Sequence, residues 1–266
     1  MCEANVYINR GGQEELLMER VDRIVPGEDN SIFMENIFGE RRIIIARIKE
    51  MELVHHRILL EDIREESENH HLELWLEPDT DHGHFHPGEE VRLKLNKGYN
   101  MTSDSEAEFS ATQAFWVNEG VVQEVEIHDH EGTMEVILSQ QLDGLVQVYV
   151  REQGDQERYA ITLVEVGHHH HHGLKAAGLP LEIVPCDYSH ARLGESYEIR
   201  VLKEGQPLVG IEVRATYSST QNREYPHLLT TDEEGRAKLF LTARGNYLFS
   251  VTDENIISTF TLIKSF

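Results

Sequence analysis

Val91-Arg92-Leu93-Lys94-Leu95 alternates apolar and cationic residues with a period of two. That spacing puts Val91, Leu93 and Leu95 on one face of an extended chain and the charges on the other, as in a half-buried antiparallel strand. Similar runs flank it at Leu72 to Leu76, Ala114 to Val117, Val121 to Ile127, Met134 to Leu138, Gly144 to Val150 and Tyr159 to Val166. Regular turns between such runs favour a sandwich, and the whole chain reads as all-β.

Outward from this region the pattern continues in both directions. Residues 1–62 carry strand-like runs at Val6 to Ile8, Leu16 to Met18, Ile32 to Met34, Arg42 to Ile48 and Arg57 to Leu60, punctuated by Gly11-Gly12, Pro26 to Asn30 and Gly39. Five short strands in so few residues suit a small barrel. Residues 63–70 are dense in charge and read as a linker between this barrel and a sandwich at 71–166. Gly167, His168 to His172 and the run to Gly178 break the pattern as a second linker. Strand runs resume at Leu181 to Val184, Tyr197 to Leu202, Ile211 to Tyr217, Ala237 to Leu241 and Tyr247 to Val251. A turn at Thr231 to Arg236 leads into the fourth of them. A further antiparallel sandwich of transthyretin or Cna-B type is expected at 179–266.

The 266 residues include 24 Lys and Arg, 48 Asp and Glu, and 16 His, a formal charge of −24. Such a surface repels nucleic acid and anionic membrane and concentrates cations. Ten of the histidines fall in three short places, 70–71, 82–86 and 168–172. The two cysteines, Cys2 and Cys186, read as free thiols of a reducing compartment. No apolar run spans a bilayer, and Met1 to Asn5 has no secretory character, so a soluble cytoplasmic protein is expected.

The chemistry that stands out is metal ligation. A thiolate at Cys2 is a soft ligand, and thiolate with deprotonated backbone amides suits square-planar Ni(II). One cysteine cannot fill four positions, so two copies from a two-fold dimer are the economical answer. His168, His169, His170, His171 and His172 offer imidazoles that can wrap an ion, although a polar Gly-flanked linker also explains them. His82, His84 and His86 would point to one side of an extended chain about 7 Å apart, too far for one ion. A curved loop would be needed there, and a solvated turn before Pro87-Gly88 fits equally well. His70 and His71 open the second region. His128-Asp129-His130 reads equally as a hairpin tip, and His55-His56 as structural. Cys186 with Asp187 and His190 reads as a packed or incidental thiol, because sequence supplies neither a placed base nor an oxyanion hole. No phosphate-binding loop, nucleophile elbow, zinc-protease or dinucleotide-binding motif is present, so an enzyme is not expected.

Met1-Cys2-Glu3-Ala4-Asn5-Val6-Tyr7, Glu14 to Asp22, Asn36 to Arg41 and Ala46 to Glu50 together resemble the CooT family of small nickel-binding proteins. The resemblance implies an SH3-like barrel, a homodimer, a nickel site shared between protomers with Cys2 as its ligand, and a role in maturing nickel-dependent carbon monoxide dehydrogenase. His71 to Pro78, Leu181 to Pro185, Val201 to Val213 and Thr231 to Ala237 resemble a second family, the nickel-uptake-associated (NikM-type) domain found beside nickel and cobalt transporters. That family places a histidine where His70-His71 stands and is usually exported.

These readings combine into an all-β chain: a small SH3-like barrel followed by two antiparallel β-sandwich domains. The expected function is a non-enzymatic metallochaperone, reservoir or sensor for Ni(II), with Zn(II), Co(II) or Cu as alternatives at the histidine-rich sites. Expected partners are a second copy of the chain and a nickel-enzyme client or nickel transporter. Two alternatives stand beside it, an extracytoplasmic nickel-capture module and an RNA-binding regulator. The net charge and the scarcity of paired basic residues, Arg41-Arg42 and Arg47 with Lys49, argue against the second.

Overall fold

The computed structural model describes residues 3–10, 13–27, 31–39, 41–52, 54–62, 72–79, 84–104, 107–118, 120–130, 132–139, 141–167, 175–187, 191–220 and 225–263. Two compact units emerge, Met1–His71 and Leu72–Phe266.

The first unit has β1 (Ala4–Arg10), β2 (Gln13–Pro26), β3 (Ser31–Asn36), β4 (Arg41–Glu52) and β5 (Arg57–Asp62). Consecutive strands pair antiparallel, and β5 returns to pair in parallel with β1, Val6 opposite Ile58 and Ile8 opposite Leu60, so the strands close on themselves. Val6, Ile8, Met18, Val21, Ile32, Met34 and Leu60 fill the centre. All five apolar runs of the sequence lie in these strands, but β2 is longer than its run because it bends. Arg20 takes φ +52, its N–H is held by Asn5 Oδ1 at 3.1 Å, and the register slips between Val21 and Arg23. A bulge of this kind lets one strand pair with β1 and then curve to pair with β3.

The second unit begins with β6 (Glu73–Pro78), β7 (His84–Phe85), β8 (Val91–Tyr99), β9 (Thr102–Ser103), β10 (Ala111–Asn118), β11 (Val121–Val125), β12 (Ile127–His130), β13 (Thr133–Leu138), β14 (Gly144–Gln153) and β15 (Glu157–Val166). It continues with β16 (Leu181–Pro185), β17 (Ser196–Lys203), β18 (Gln206–Pro207), β19 (Glu212–Tyr217), β20 (His227–Thr230), β21 (Arg236–Phe240), β22 (Tyr247–Asp253) and β23 (Ile256–Leu262). Val91 to Leu95 is the half-buried antiparallel strand its pattern predicts, alternating buried and exposed between β6 and β13.

One large sheet runs β11-β10-β14-β15-β23-β22-β19-β20, with β7 beside β15. It is covered by a sheet β12-β13-β8-β6, with β9 beside β8, and by a sheet in which β17 carries β16 on one side and β18 and β21 on the other. At the centre, β15 and β23 pair in parallel, Glu157 to Thr162 against Ile256 to Thr261. Tyr159, Ile161 and Leu163 enter one core, whereas Ala160, Val164 and Val166 enter another. β15 is thus a wall shared by two cores, which is why Tyr159 to Val164 are all buried.

The expected fold class is therefore corrected. The chain is all-β, but the sheets are mixed, and an SH3-like barrel followed by two antiparallel sandwiches does not describe it. The first unit is closed by a parallel pair, and the parallel β15/β23 pair joins the strands assigned to two sandwiches into one sheet. A pairing between strands about a hundred positions apart leaves no periodic trace in either strand.

Candidate metal and ligand sites

Most of the expected ligands lie outside the described residues: Cys2, His70, His71, His82, and His168 to His172. His84 opens β7, and exposed His86 follows Phe85. Among the described residues no three His, Cys, Asp or Glu side chains are gathered as a metal site. Three described places nonetheless bear on the proposed ligands.

The first surrounds the start of β1. Asn5, three positions after Cys2 in sequence, donates its N–H to His56 O at 2.8 Å and accepts from Arg20 N–H. His55 and His56 form the exposed turn between β4 and β5, where His56 takes φ +51. His55 Nδ1 lies 3.8 Å from Glu52 Oε2.

The second is β7. It is two residues long, yet it pairs in parallel with the end of β15, His84 opposite Glu165 and Phe85 opposite Val166. Phe85 is buried in the core and anchors the segment. Gly167 N–H, immediately before His168 in sequence, donates to Phe85 O at 2.9 Å. His86 starts a turn closed by Glu89, whose Oε2 accepts from His86 N–H at 2.9 Å.

The third is Glu182 on β16. Its carboxylate accepts from the N–H groups of Ala177, Gly178 and Leu179 at 2.6, 3.0 and 3.2 Å and from Gln147 Nε2 at 3.0 Å. The chain a few residues beyond His172 is thereby fastened to β16 and β14. His128 and His130 stand exposed on β12, in a hairpin whose tip is closed by Gly132 N–H on Asp129 Oδ1.

Two more buried carboxylates escaped the sequence reading. Glu73 on β6 accepts from Ser250 Oγ at 2.5 Å, Asn100 N–H at 3.4 Å and the Tyr225 hydroxyl, with Arg214 Nη2 at 3.3 Å. Burial outweighs these donors and holds its carboxyl above the ordinary range. Glu152 on β14 takes Lys97 Nζ at 2.9 Å, Arg158 Nη1 at 3.1 Å and Ser110 N–H at 2.9 Å. A signal was available for Glu73 and Glu182, since each interrupts an otherwise apolar run, Leu72 to Leu76 and Leu181 to Val184. A buried acid in a strand needs partners, and the partners were the part that sequence could not name.

A groove of about 540 Å³ opens beside β16, β17 and β21, with Val184, Pro185, Leu202 and Ala176 as apolar wall and Cys186, Glu198, Arg200 and Arg236 as polar wall. Cys186 is a free thiol. Burial and its hydrogen bond to the Glu198 carboxylate push it up to about 11. It therefore stays largely protonated near neutrality, and its reactive thiolate is scarce. Glu198 is claimed by Lys238 Nζ at 2.8 Å and Arg236 Nη1 at 3.5 Å. Arg200 Nε is buried without a hydrogen-bond partner.

With this geometry, an N-terminal module and a larger β-sandwich unit can be set against known proteins. Residues 70–255 match a domain of unknown function, DUF4198, and residues 1–61 match the CO dehydrogenase accessory protein CooT. The chain belongs to the DUF4198 family and carries a CooT-family domain at its N-terminus. No curated protein matches it.

A crystal structure of a putative CooT from Carboxydothermus hydrogenoformans is 54% identical over 23% of this chain and 97% of its own, with a TM-score of 0.22. The D0-D1 domain of intimin aligns at 14% identity over 73% of this chain and 98% of its own, TM-score 0.24. Trypsin-activated α2-macroglobulin from Escherichia coli aligns at 12% identity over 98% of this chain and 20% of its own, TM-score 0.27. The last two likenesses carry no functional argument. CooT is described as an accessory protein to CO dehydrogenase. Among the described residues no helix is long and apolar enough to cross a membrane.

Proposed function

We propose that the chain is a nickel-binding accessory protein serving maturation of a nickel-dependent enzyme, with carbon monoxide dehydrogenase as the client that the CooT description names. The observation that carries this reading is the CooT-family match over residues 1–61, which includes Cys2. In this reading Cys2 of two protomers supplies thiolates to a square-planar Ni(II), and backbone amides complete the set. The acidic, histidine-rich second unit raises the local cation concentration and holds ions on imidazole at His82, His84, His86 and His168 to His172, with His70 and His71 just before it.

Support for a shared collector comes from the pairing of β7 with β15. Gly167, which precedes His168, is hydrogen-bonded to Phe85, which lies between His84 and His86. The backbone at His84 to His86 is thus adjacent to the residue that precedes the histidine run, about eighty positions away in sequence. At that edge Phe85 is buried and His86 is exposed.

Native mass spectrometry with Ni(II) tests the reading on the wild type, Cys2→Ser and a deletion of residues 168–172. The expected result is loss of one tight, dimer-linked nickel in Cys2→Ser, and loss of further ions only in the deletion. Unchanged stoichiometry and affinity in Cys2→Ser would overturn the thiolate site. A second reading, nickel capture for an uptake system outside the cytoplasm, is favoured by the His71 to Pro78 segment that bridges the start of the second unit. Fractionation of native cells separates the two.

A further inference from the structure

We infer that the groove beside β16, β17 and β21 is a binding site for a small aliphatic monocarboxylate, with Arg200 as the residue that receives the carboxylate.

Charge singles this groove out. In a chain of net charge −24, cations are normally consumed by the surplus acids. Here Lys238 and Arg236 are engaged by Glu198, and Arg236 Nε also lies 3.1 Å from Glu234 Oε2. Arg200 makes no ion pair among the described residues, and its buried Nε has no acceptor. Leaving a buried guanidinium N–H unmade is costly, and a carboxylate satisfies it with the two-pronged geometry that a guanidinium fork offers.

The β17 backbone fixes where that fork sits. Glu198, Arg200 and Leu202 alternate along β17 and share the groove face, and Val184 pairs with Arg200 across β16. One unpaired cation therefore stands between a carboxylate already saturated by others and an aliphatic wall of Val184, Pro185 and Leu202. A ligand with one negative charge and a short hydrocarbon body complements this arrangement. A dianion would meet Glu198, and a metal cation would meet Arg200 and a protonated Cys186. The volume of about 540 Å³ falls in the range of small-molecule sites.

The site can be tested on the full-length protein by following Arg Nε–Hε resonances during titration with sodium hexanoate, with hexanamide as the uncharged control. Saturable shifts of the Arg200 signal are expected, with a Kd on the order of 1 mM for so small a ligand. Hexanamide should leave the signal unmoved. Calorimetry with Arg200→Gln should show roughly tenfold weaker hexanoate binding or none. Arg200→Lys keeps the charge but loses the fork, so it should bind several-fold more weakly while preserving the fold. The proposal is overturned if hexanoate produces no saturable shift, if hexanamide shifts Arg200 equally, or if Arg200→Lys and Arg200→Gln both bind like the wild type. It is also overturned if only a peptide C-terminus, probed with N-acetyl-leucyl-leucine, binds and hexanoate does not.

Discussion

Arg214 on β19 reaches Glu73 on β6 across 141 positions of sequence, Nη2 to Oε1 at 3.3 Å. The pair ties an edge strand of the covering sheet to the C-terminal half of the large one. Ser250 and Tyr225 complete the shell from β22 and the segment before β20. A buried carboxylate stripped of its cation is destabilising because its desolvation is no longer offset. Arg214→Met should cost about 3 kcal/mol at pH 7, read by urea unfolding. Because burial raises the Glu73 carboxyl, the folded state holds its proton more tightly than the unfolded state. Stability contributed by this group is therefore present at low pH and lost as pH rises from the ordinary glutamate range through the folded value. The Arg214→Met defect should shrink on acidification, and a pH-independent defect would contradict the assignment.

Glu182 sets the path of the chain after the histidine run. At 1% exposure its acceptors are spent on three backbone N–H groups and the Gln147 amide, not water. Glu182→Ala should cost about 1–3 kcal/mol by orphaning the N–H groups of Ala177, Gly178 and Leu179. Hydrogen exchange should lose protection at 177–179 first. If those amides stay protected in the variant, another acceptor holds them.

Gly235 closes the Thr231 to Arg236 turn at φ +71, and a Cβ there would sit 2.8 Å from Val201 O. Asp232 Oδ1 accepts the N–H groups of Glu234 and Arg236 on the same turn. Gly235→Ala combines left-handed strain with a backbone clash and should lower stability by about 1–3 kcal/mol. A thermal melt that matches the wild type would rule out this turn geometry.

Cys186 should alkylate slowly at neutral pH. With its thiol pushed up to about 11, the reactive thiolate is scarce and the rate should climb as pH approaches that value. Glu198→Gln removes a repelling charge and the thiol's carboxylate acceptor, so the pKa falls and alkylation at pH 8 accelerates. Site-resolved mass spectrometry after iodoacetamide distinguishes Cys186 from Cys2. An equal rate in both proteins would show that Glu198 does not control the thiol.

Local pattern carried much of the strand map. The period-two run at Val91 to Leu95, the five runs of the first unit and the turn at Thr231 to Arg236 all appear where the residues place them. Short strands without apolar alternation were invisible. β7 is held by one residue, Phe85, and by pairing with a distant strand, so nothing local marks His84-Phe85 as extended. Glu152 carried no local mark, and for Glu73 and Glu182 the interrupted apolar runs marked burial but not the partners, because an acid in a sequence looks solvated until its partners are known. The ligands proposed from sequence chemistry, Cys2 and the histidine run, lie outside the described residues, so the nickel reading rests on family and composition.

By itself the sequence determined that the chain is all-β, strongly acidic and clustered in histidine, and that a CooT-like segment opens it. The first three follow from periodicity and residue type, which are local, and the last from resemblance to a known family. Only the tertiary structure decided that β15 and β23 join two apparent sandwiches in one sheet, that Arg214 answers Glu73, and that the backbone at His84 to His86 meets Gly167. Each of those depends on pairing between distant segments, where hydrogen bonds and burial are settled by what comes to lie opposite. A one-dimensional pattern holds no record of that choice.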